Sequence, residues 1–285
     1  MQYILSNTPI EEYRLKGKKT VFVKREDLCT VPPGPPFSKA RGVYQHIIGL
    51  SGVQVVAYLE NWVSMASWCV SWAARAAGKT PVIFLPEYKT PRQPLEYHKG
   101  QLARFTPITI NYKPTIAKVC WYVQRRVLKE QYGGDAVLLP LGMPFDESID
   151  GTKVEAKAAA GGTRWGTVVV AIGSGTICAG LLRGMDGNGV GIIGVRNCFK
   201  KTTAGMTRKT ILQRAGLVDF GGRYPFTVIP TQGQYGSGCY YPAPFPCNPY
   251  YDRVAWKWTV ENFTSLKQPV LFWNIGGGYG SERHN

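Results

Sequence analysis

The chain alternates short runs of β-branched apolar residues with stretches whose apolar positions recur at helical spacing. The runs predict strands at 20–23, 53–59, 81–85, 106–110, 136–139, 167–172, 190–195 and 269–273. The other stretches predict helices at 38–50, 64–77, 114–131 and 149–160, and one more whose first turn holds Pro91 and Pro94. Repeated strand–helix alternation predicts parallel sheets with helices on both faces. The Gly-, Pro- and Tyr-rich stretch 221–251 predicts irregular loop.

A glycine-rich turn follows the most apolar of these strands. The strand is followed by Gly173, Ser174, Gly175 and Thr176, named the phosphate loop below, and then by a predicted helix. A strand that ends in glycines before a helix presents backbone N–H groups at the positive end of the helix dipole. Such a turn suits a phosphate group; the alternative is a plain strand-to-helix connection.

The composition is typical of a globular protein with one large domain or two small ones, since 285 residues are 44% hydrophobic. No apolar run reaches the roughly 18 residues of a membrane span, and the first residues lack a signal-peptide pattern. Seven scattered cysteines indicate free thiols in a reducing compartment, which predicts a cytoplasmic protein. Three histidines in the whole chain argue against a zinc site, so we predict no metal.

The charge is strongly unbalanced, at +16, because 34 Lys and Arg face only 18 Asp and Glu. A folded surface depleted of carboxylates suits a polyanionic partner such as nucleic acid, or a basic enzyme with a small anionic substrate. The stretch 196–214 has no acidic residue and contains Lys200, Lys201, Arg208 and Lys209. These four side chains are candidates for contacts to a phosphate backbone; the alternative is a solvated basic face.

Lys39 lies at a predicted loop-to-helix junction, directly after Ser38, the expected N-cap. A lysine at a helix N-terminus is disfavoured by the dipole, which lowers its pKa and suits an amine that forms a Schiff base. The alternative from this segment alone is a solvated lysine in the first turn.

Several segments, taken in chain order, resemble the pyridoxal-phosphate enzymes of the tryptophan-synthase β type. The similarity is greatest to the aminocyclopropane-carboxylate deaminase and D-cysteine desulfhydrase group, and it runs from about residue 7 to residue 280. The matching segments are Asn7-Thr8-Pro9-Ile10-Glu11-Glu12-Tyr13, Lys24-Arg25-Glu26-Asp27, Lys39, the phosphate loop, Asn248-Pro249-Tyr250-Tyr251-Asp252 and Asn274-Ile275-Gly276-Gly277-Gly278. The ordered set is far more specific than any one member.

The resemblance implies a role for each residue that would surround pyridoxal phosphate. Lys39 would be the Schiff-base lysine and the base that moves the Cα proton, and the N–H groups of the phosphate loop would hold the phosphate. Asp252 would face the pyridine nitrogen, where a carboxylate deepens the electron sink. Tyr251 would lie beside the ring, with Tyr240 as a second catalytic candidate. The alternatives are a surface carboxylate for Asp252 and packed aromatic rings for the two tyrosines.

The substrate half of the predicted site departs from the family. Ser64 matches the serine of the family's substrate-carboxylate turn, but Met65 replaces the asparagine that follows it there, so both are candidate substrate-binding residues. Ser38 likewise replaces an asparagine. The segment between Gly238 and Tyr251 is much shorter than in the deaminases, and Trp62, Trp68 and Trp72 crowd the substrate-side helix. The family's substrate therefore does not transfer directly to this chain.

The sequence thus predicts an α/β fold of type II, with two three-layer domains, parallel sheets and the cofactor in the cleft between them. The large domain would hold residues 1–41 and 148–285, and the small domain residues 42–147. The resemblance also implies a homodimer.

Our leading hypothesis is an isomerase, decarboxylase or lyase that breaks a bond at Cα of an amino-acid group attached to a base, as in phage-type DNA hypermodification. The alternatives are a deaminase or desulfhydrase acting on a free small amino acid, and a cofactor-free fold that only binds nucleic acid.

Overall fold

The computed structural model of the chain describes residues 7–17, 19–186, 189–196, 204–218, 224–231 and 236–281. This part of the chain forms ten strands: β1 (Ile10–Leu15), β2 (Lys19–Arg25), β3 (Val55–Leu59), β4 (Thr80–Pro86), β5 (Ile108–Tyr112), β6 (Ala136–Leu138), β7 (Thr167–Ile172), β8 (Gly191–Arg196), β9 (Phe226–Pro230) and β10 (Val270–Asn274). It also forms eight α-helices: α1 (Ala40–Gly49), α2 (Ala66–Ala76), α3 (Gln93–Ala103), α4 (Ala117–Tyr132), α5 (Asp146–Gly162), α6 (Thr176–Met185), α7 (Ala204–Arg214) and α8 (Asp252–Asn262).

The strands form two sheets. The larger has the order β1-β2-β10-β7-β8-β9, and the smaller has the order β5-β4-β3-β6. All neighbouring strands are parallel except β1, which pairs antiparallel with β2. The central strands β7 and β10 are buried along their whole length, as expected for a parallel sheet covered on both faces. The predicted α/β class with parallel sheets is therefore confirmed, while the domain boundaries at residues 42 and 147 stay a prediction.

Two local predictions are corrected. The stretch 221–251 was expected to be irregular, but β9 lies within it and extends the larger sheet. Pro91 does not lie in the first turn of α3, because this helix begins at Gln93 and only Pro94 is in its first turn. Pro91 precedes the N-cap, Arg92.

The motif Lys24-Arg25-Glu26-Asp27 forms a buried ion-pair cluster. Lys24 Nζ lies 2.6 Å from Glu155 Oε2 on α5, and Arg25 pairs with Asp27 at 2.7 Å. Arg41, in the first turn of α1, pairs with Glu26 at 2.6 Å. Buried pairs of this kind contribute little net stability, but breaking one leaves an uncompensated buried charge. The motif therefore fixes α1 against β2 and α5.

No helix in the described ranges is long and apolar enough to cross a membrane. The six cysteines that the structure describes are free thiols. Within the same ranges, no group of three His, Cys, Asp or Glu side chains is arranged to hold a metal ion.

Candidate functional site

A cleft of about 460 Å³ lies where strands of both sheets end. Its lining includes Glu60 after β3, Gly173 after β7 and Ile275 after β10. All three follow the carboxyl ends of parallel strands, the usual place for a ligand in an α/β fold. The cleft also brings together Lys39 and Asp252, which are 213 positions apart in the chain.

Lys39 is buried beside the phosphate loop. Its Nζ donates to the Ser174 Oγ and to the Gly142 carbonyl oxygen, each at 2.9 Å. Burial lowers the pKa of Lys39 to about 8, and the nearby Arg214 guanidinium lowers it further. The shift has the predicted direction, although burial rather than the helix dipole is its first cause. An amine with this pKa is partly neutral near pH 7.5, as a nucleophile must be.

The predicted N-cap at Ser38 is wrong. Lys39 itself occupies the N-cap position of α1, and no side chain caps this helix. The Ser38 hydroxyl is buried, and none of the described residues bonds to it. The reason is that α1 begins at Ala40, two positions later than the sequence pattern predicts.

Gly42 allows α1 to approach α5 closely enough for Lys39 to reach the loop. A Cβ at Gly42 would lie 2.1 Å from Ser148 Cα on α5, so any side chain would push the two helices apart. The turn between β6 and α5 supplies Gly142, whose carbonyl oxygen accepts bonds from Lys39, Ser174 and Thr176. Packing of α1 on α5 thus sets the position of the lysine.

The phosphate loop has the geometry of an anion site. Gly175 has φ +85°, a conformation that favours glycine, and it precedes α6, whose first turn has no acidic residue. Among the described residues, no acceptor bonds the backbone N–H groups of Gly173, Ser174 or Gly175. Arg214 donates to the Ser174 carbonyl oxygen and adds positive charge behind the loop. These groups fit the phosphate of the cofactor that the resemblance implies.

Asp252 lies in the same cleft, only 2% exposed. Its Oδ1 accepts a 3.0 Å bond from the Ile275 N–H. Burial raises the pKa of Asp252 to about 8, and the Asp27 carboxylate raises it too, while backbone N–H groups lower it in part. A carboxyl group that readily holds a proton in a dry cleft suits a pyridine nitrogen, with which it can share that proton. The residues present therefore fit pyridoxal phosphate at both ends.

The two tyrosines differ in position. Tyr251 lines the cleft, and its ring lies against the phosphate loop, 3.5 Å from where a Cβ at Gly173 would be. Tyr240 is 71% exposed and is not part of the cleft lining. The structure thus brings Tyr251, but not Tyr240, to the predicted cofactor site.

Residues 60–67, named the substrate loop, run from the end of β3 into α2 and include Ser64 and Met65, which line the cleft. Asn61 Oδ1 accepts bonds from the N–H groups of Val63 and Ser64, both at 3.0 Å. Ser64 Oγ accepts from the Ala66 N–H at 3.1 Å. The backbone donors that an open helix start offers to an anion are therefore bonded to side chains of the loop itself.

Glu60 is the residue of this loop that the sequence patterns did not single out. One carboxyl oxygen accepts from the Asn61 N–H at 2.6 Å, and the other bonds the N–H and hydroxyl of Ser67. Burial raises the pKa of Glu60 well above its usual value, despite these two N–H groups. The only sequence signal is an acidic residue directly after a fully apolar strand, which indicates a group that needs partners.

The basic candidates are not gathered at the cleft. Lys200 and Lys201 lie outside the described residues. Arg208 donates to the carbonyl oxygens of Phe226 and Tyr224, and so holds the start of β9. Lys209 is exposed on α7.

Comparison with known proteins gives one extensive relative. The chain is 34% identical over 289 residues to the glycyl-dTMP PLP-dependent decarboxylase of Pseudomonas phage M6, covering 96% of this chain and 99% of the relative. No model of a protein family matches the chain.

Solved structures share the fold at low identity. An ACC deaminase homologue superposes with a TM-score of 0.79 at 19% identity, covering 99% of this chain and 93% of its own. A bacterial-type threonine deaminase, from T.th., has a TM-score of 0.69 at 18% identity, covering 98% and 94%. The predicted similarity to these enzymes is confirmed at the level of the fold.

Proposed function

Because the chain belongs to the pyridoxal-phosphate enzymes of fold type II, we propose that it is a decarboxylase. Its substrate would be an amino-acid group attached to a thymidine nucleotide, as the name of the phage relative indicates for that protein. This proposal narrows the three bond-breaking reactions left open by the sequence to one.

The observation that carries the choice of reaction is the internal bonding of the substrate loop. A lyase that keeps the substrate carboxylate benefits from holding it at a helix start. A decarboxylase must lose that group, and hydrogen bonds that stabilise it in the ground state raise the barrier to its loss. In this chain Glu60 and Asn61 occupy loop donors, and the buried side chain of Met65 lines the cleft instead of an asparagine.

The reaction sets requirements on the substrate. The amine must be a free primary amine to exchange with Lys39, and the α-carboxylate must be free to leave. An amino-acid group that meets both conditions is not joined to the nucleotide through its nitrogen or its carboxyl carbon. If the group is glycyl, the remaining point of attachment is Cα.

The residues of the cleft divide the work. The N–H groups of the phosphate loop would bind the cofactor phosphate, Asp252 would face its ring nitrogen, and Tyr251 would pack beside the ring. When bound, pyridoxal phosphate accepts the electron pair left on Cα as the bond to the carboxylate breaks and CO2 departs. Lys39 would then deliver the proton that replaces the carboxylate on Cα.

The experiment that tests this function supplies the cofactor-loaded protein with a thymidine monophosphate that carries the amino-acid group at the 5-methyl carbon. We expect CO2 to be released and an amine to remain on the nucleotide, measured by trapped CO2 and by mass spectrometry of the product. Release of ammonia and a keto acid from D-cysteine or aminocyclopropane carboxylate, without CO2, would instead identify the deaminase or desulfhydrase alternative. A protein that stays colourless with pyridoxal phosphate would contradict both.

Met65→Asn tests the role of the apolar substrate loop. The new amide would hydrogen-bond the substrate carboxylate before it leaves, and a bond of about 1 kcal/mol would slow CO2 release roughly fivefold. The measurement is the single-turnover rate of CO2 release at saturating substrate. Met65→Leu is the matched control, because it keeps an apolar side chain of similar volume, and we expect its rate to stay within about threefold of the natural enzyme. An unchanged rate in Met65→Asn would separate Met65 from the carboxylate.

The remaining features of the proposal concern assembly and location. We propose a homodimer acting in the cytoplasm, the host cytoplasm if the chain is phage-encoded, with the cofactor between the two predicted domains. Light scattering after gel filtration measures the oligomeric state directly. Assays on the mononucleotide and on DNA carrying the same group distinguish whether modification occurs before or after polymerisation, and a contribution from Lys209 would appear only with DNA.

A further inference from the structure

We propose that Arg92 binds a phosphate group of the nucleotide part of the substrate, at a site beside the cleft formed with Trp62 and Tyr88. This inference rests on the proposed function, because it assumes a nucleotide-linked substrate. It assigns the recognition of the nucleotide to residues separate from those that surround the cofactor.

Two aromatic rings hold the Arg92 guanidinium. Its central carbon lies 5.0 Å from the centroid of the Trp62 ring and 5.6 Å from that of Tyr88. Contacts of this kind orient a guanidinium and leave its N–H edges available for a planar oxyanion. Among the described residues, no carboxylate pairs with Arg92, and Glu96, the acidic residue in the first turn of α3, is paired with Lys99 at 2.9 Å.

The cluster is continuous with the cleft on the small-sheet side. Trp62 follows Asn61, which lines the cleft. Glu60, another lining residue, lies near enough to the Tyr88 hydroxyl to raise its pKa, which the Arg92 charge in turn lowers. Arg92 is therefore anchored to the outer side of the substrate loop.

The same cluster reaches the large-sheet side. The Trp62 ring contacts Tyr250 edge to face, with centroids 5.8 Å apart, and Tyr250 precedes Tyr251, which lines the cleft. A Cβ at Gly236 would lie 2.3 Å from Trp62 Cζ2, so the backbone there packs directly on the ring. Trp62 thus joins the segments on both sides of the cleft and fixes where the Arg92 guanidinium lies relative to it.

A phosphate is the ligand that this arrangement suits. In the proposed reaction the amino-acid end enters the cleft towards Lys39, and the other anionic group of the substrate is a phosphate. Bidentate binding of phosphate is the property that distinguishes arginine from lysine. The exposed ring of Tyr240 and the hydroxyl of Tyr279 both lie near Tyr250, and offer a surface to the pyrimidine or sugar. The phosphate comes from a mononucleotide or from a DNA backbone, two sources with the same chemistry.

The test is calorimetric binding to the cofactor-loaded protein of dTMP, thymidine, inorganic phosphate and a thymidine trinucleotide. Arg92→Gln removes the charge, and we expect dTMP to bind at least about tenfold more weakly while thymidine binds unchanged. Arg92→Lys keeps the charge without the planar fork and should lie between the two. Arg104→Gln is the matched control, because it removes an exposed arginine at the other end of α3 and should leave dTMP binding unchanged.

Three results would overturn the inference. One is an unchanged affinity of Arg92→Gln for dTMP, and another is an equal loss for thymidine, which would make Arg92 a structural residue. The third is inorganic phosphate competing as well as dTMP, which would indicate an adventitious ion only. A loss confined to dTMP would identify a mononucleotide phosphate, and an equal loss for the trinucleotide would identify a backbone phosphate; either supports the inference. Because no turnover is involved, these results are separate from CO2 release, which tests the proposed function alone.

Discussion

Lys39→Ala is expected to abolish decarboxylation and the cofactor adduct on a lysine that borohydride reduces. The physical reason is that, of the described lysines, only Lys39 lies in the cleft, with its amine 2.9 Å from the phosphate-loop hydroxyl of Ser174. Removing both the nucleophile and the proton donor should lower the rate by at least about 10³-fold, beyond the loss from one acid or base alone. The measurements are the rate of CO2 release, the visible spectrum with pyridoxal phosphate, and mass spectrometry of borohydride-treated protein.

Lys39→Arg is the matched control for charge. It keeps a cation at the same position but has no amine to form the adduct, so we expect it to be as inactive as Lys39→Ala. Lys39→Ala should not unfold the cofactor-free protein, because burial disfavours the charged amine and its removal relieves that cost. A reducible adduct in Lys39→Ala would move the assignment to another lysine, and an active Lys39→Arg would reduce the role of Lys39 to electrostatics.

The sequence predicts the central elements of the fold and misses those with weak apolar patterns. Strands β3, β4, β7 and β10 are buried and apolar throughout, so their pattern is determined by the core. The missed β1, with sequence Ile-Glu-Glu-Tyr-Arg-Leu, is an edge strand that is only half buried. The missed α7 buries only Ile211 and Leu212 among its described residues. Elements that bury little leave little pattern to detect.

The site divides in the same way. Lys39, the phosphate loop and Asp252 were found because local sequence specifies each, and the structure then brings them to one cleft. The internal bonding of the substrate loop was missed because it depends on where β3 ends relative to α2, which no single segment specifies. Arg92 was missed because its partners Trp62 and Tyr88 come from separate loops. Tertiary neighbours, rather than local pattern, determine both features.

Asp252→Asn is expected to keep cofactor binding and to lower the rate of CO2 release by about 10²-fold, the size of effect seen when one electrostatic stabiliser is removed. The phosphate loop and Lys39 still hold the cofactor, so its affinity should change little. An amide, unlike the Asp252 carboxyl, does not share a proton with the pyridine nitrogen, so the electron pair left on Cα is less stabilised. Cofactor titration and single-turnover rates separate the two effects, and an unchanged rate would show that Asp252 does not face the ring.

The same substitution predicts a change in the pH dependence of folding, which is independent of catalysis. The pKa of Asp252 is about 8 in the folded protein against an ordinary value of 3.8, so the folded state binds this proton more tightly. The stability of the cofactor-free protein should therefore fall as pH rises from about 4 to about 8, because ionisation favours the unfolded chain. Asp252→Asn lacks this contribution, so its free energy of unfolding should gain on that of the natural protein across this range. Lys39 acts with the opposite sign above pH 8, where its lowered pKa makes stability rise with pH, and it is common to both proteins. Urea unfolding of both at pH 5 and pH 8 measures the difference, and parallel curves would mean that Asp252 is ionised in the folded cleft at both pH values, which would remove the proton that it is proposed to share with the cofactor.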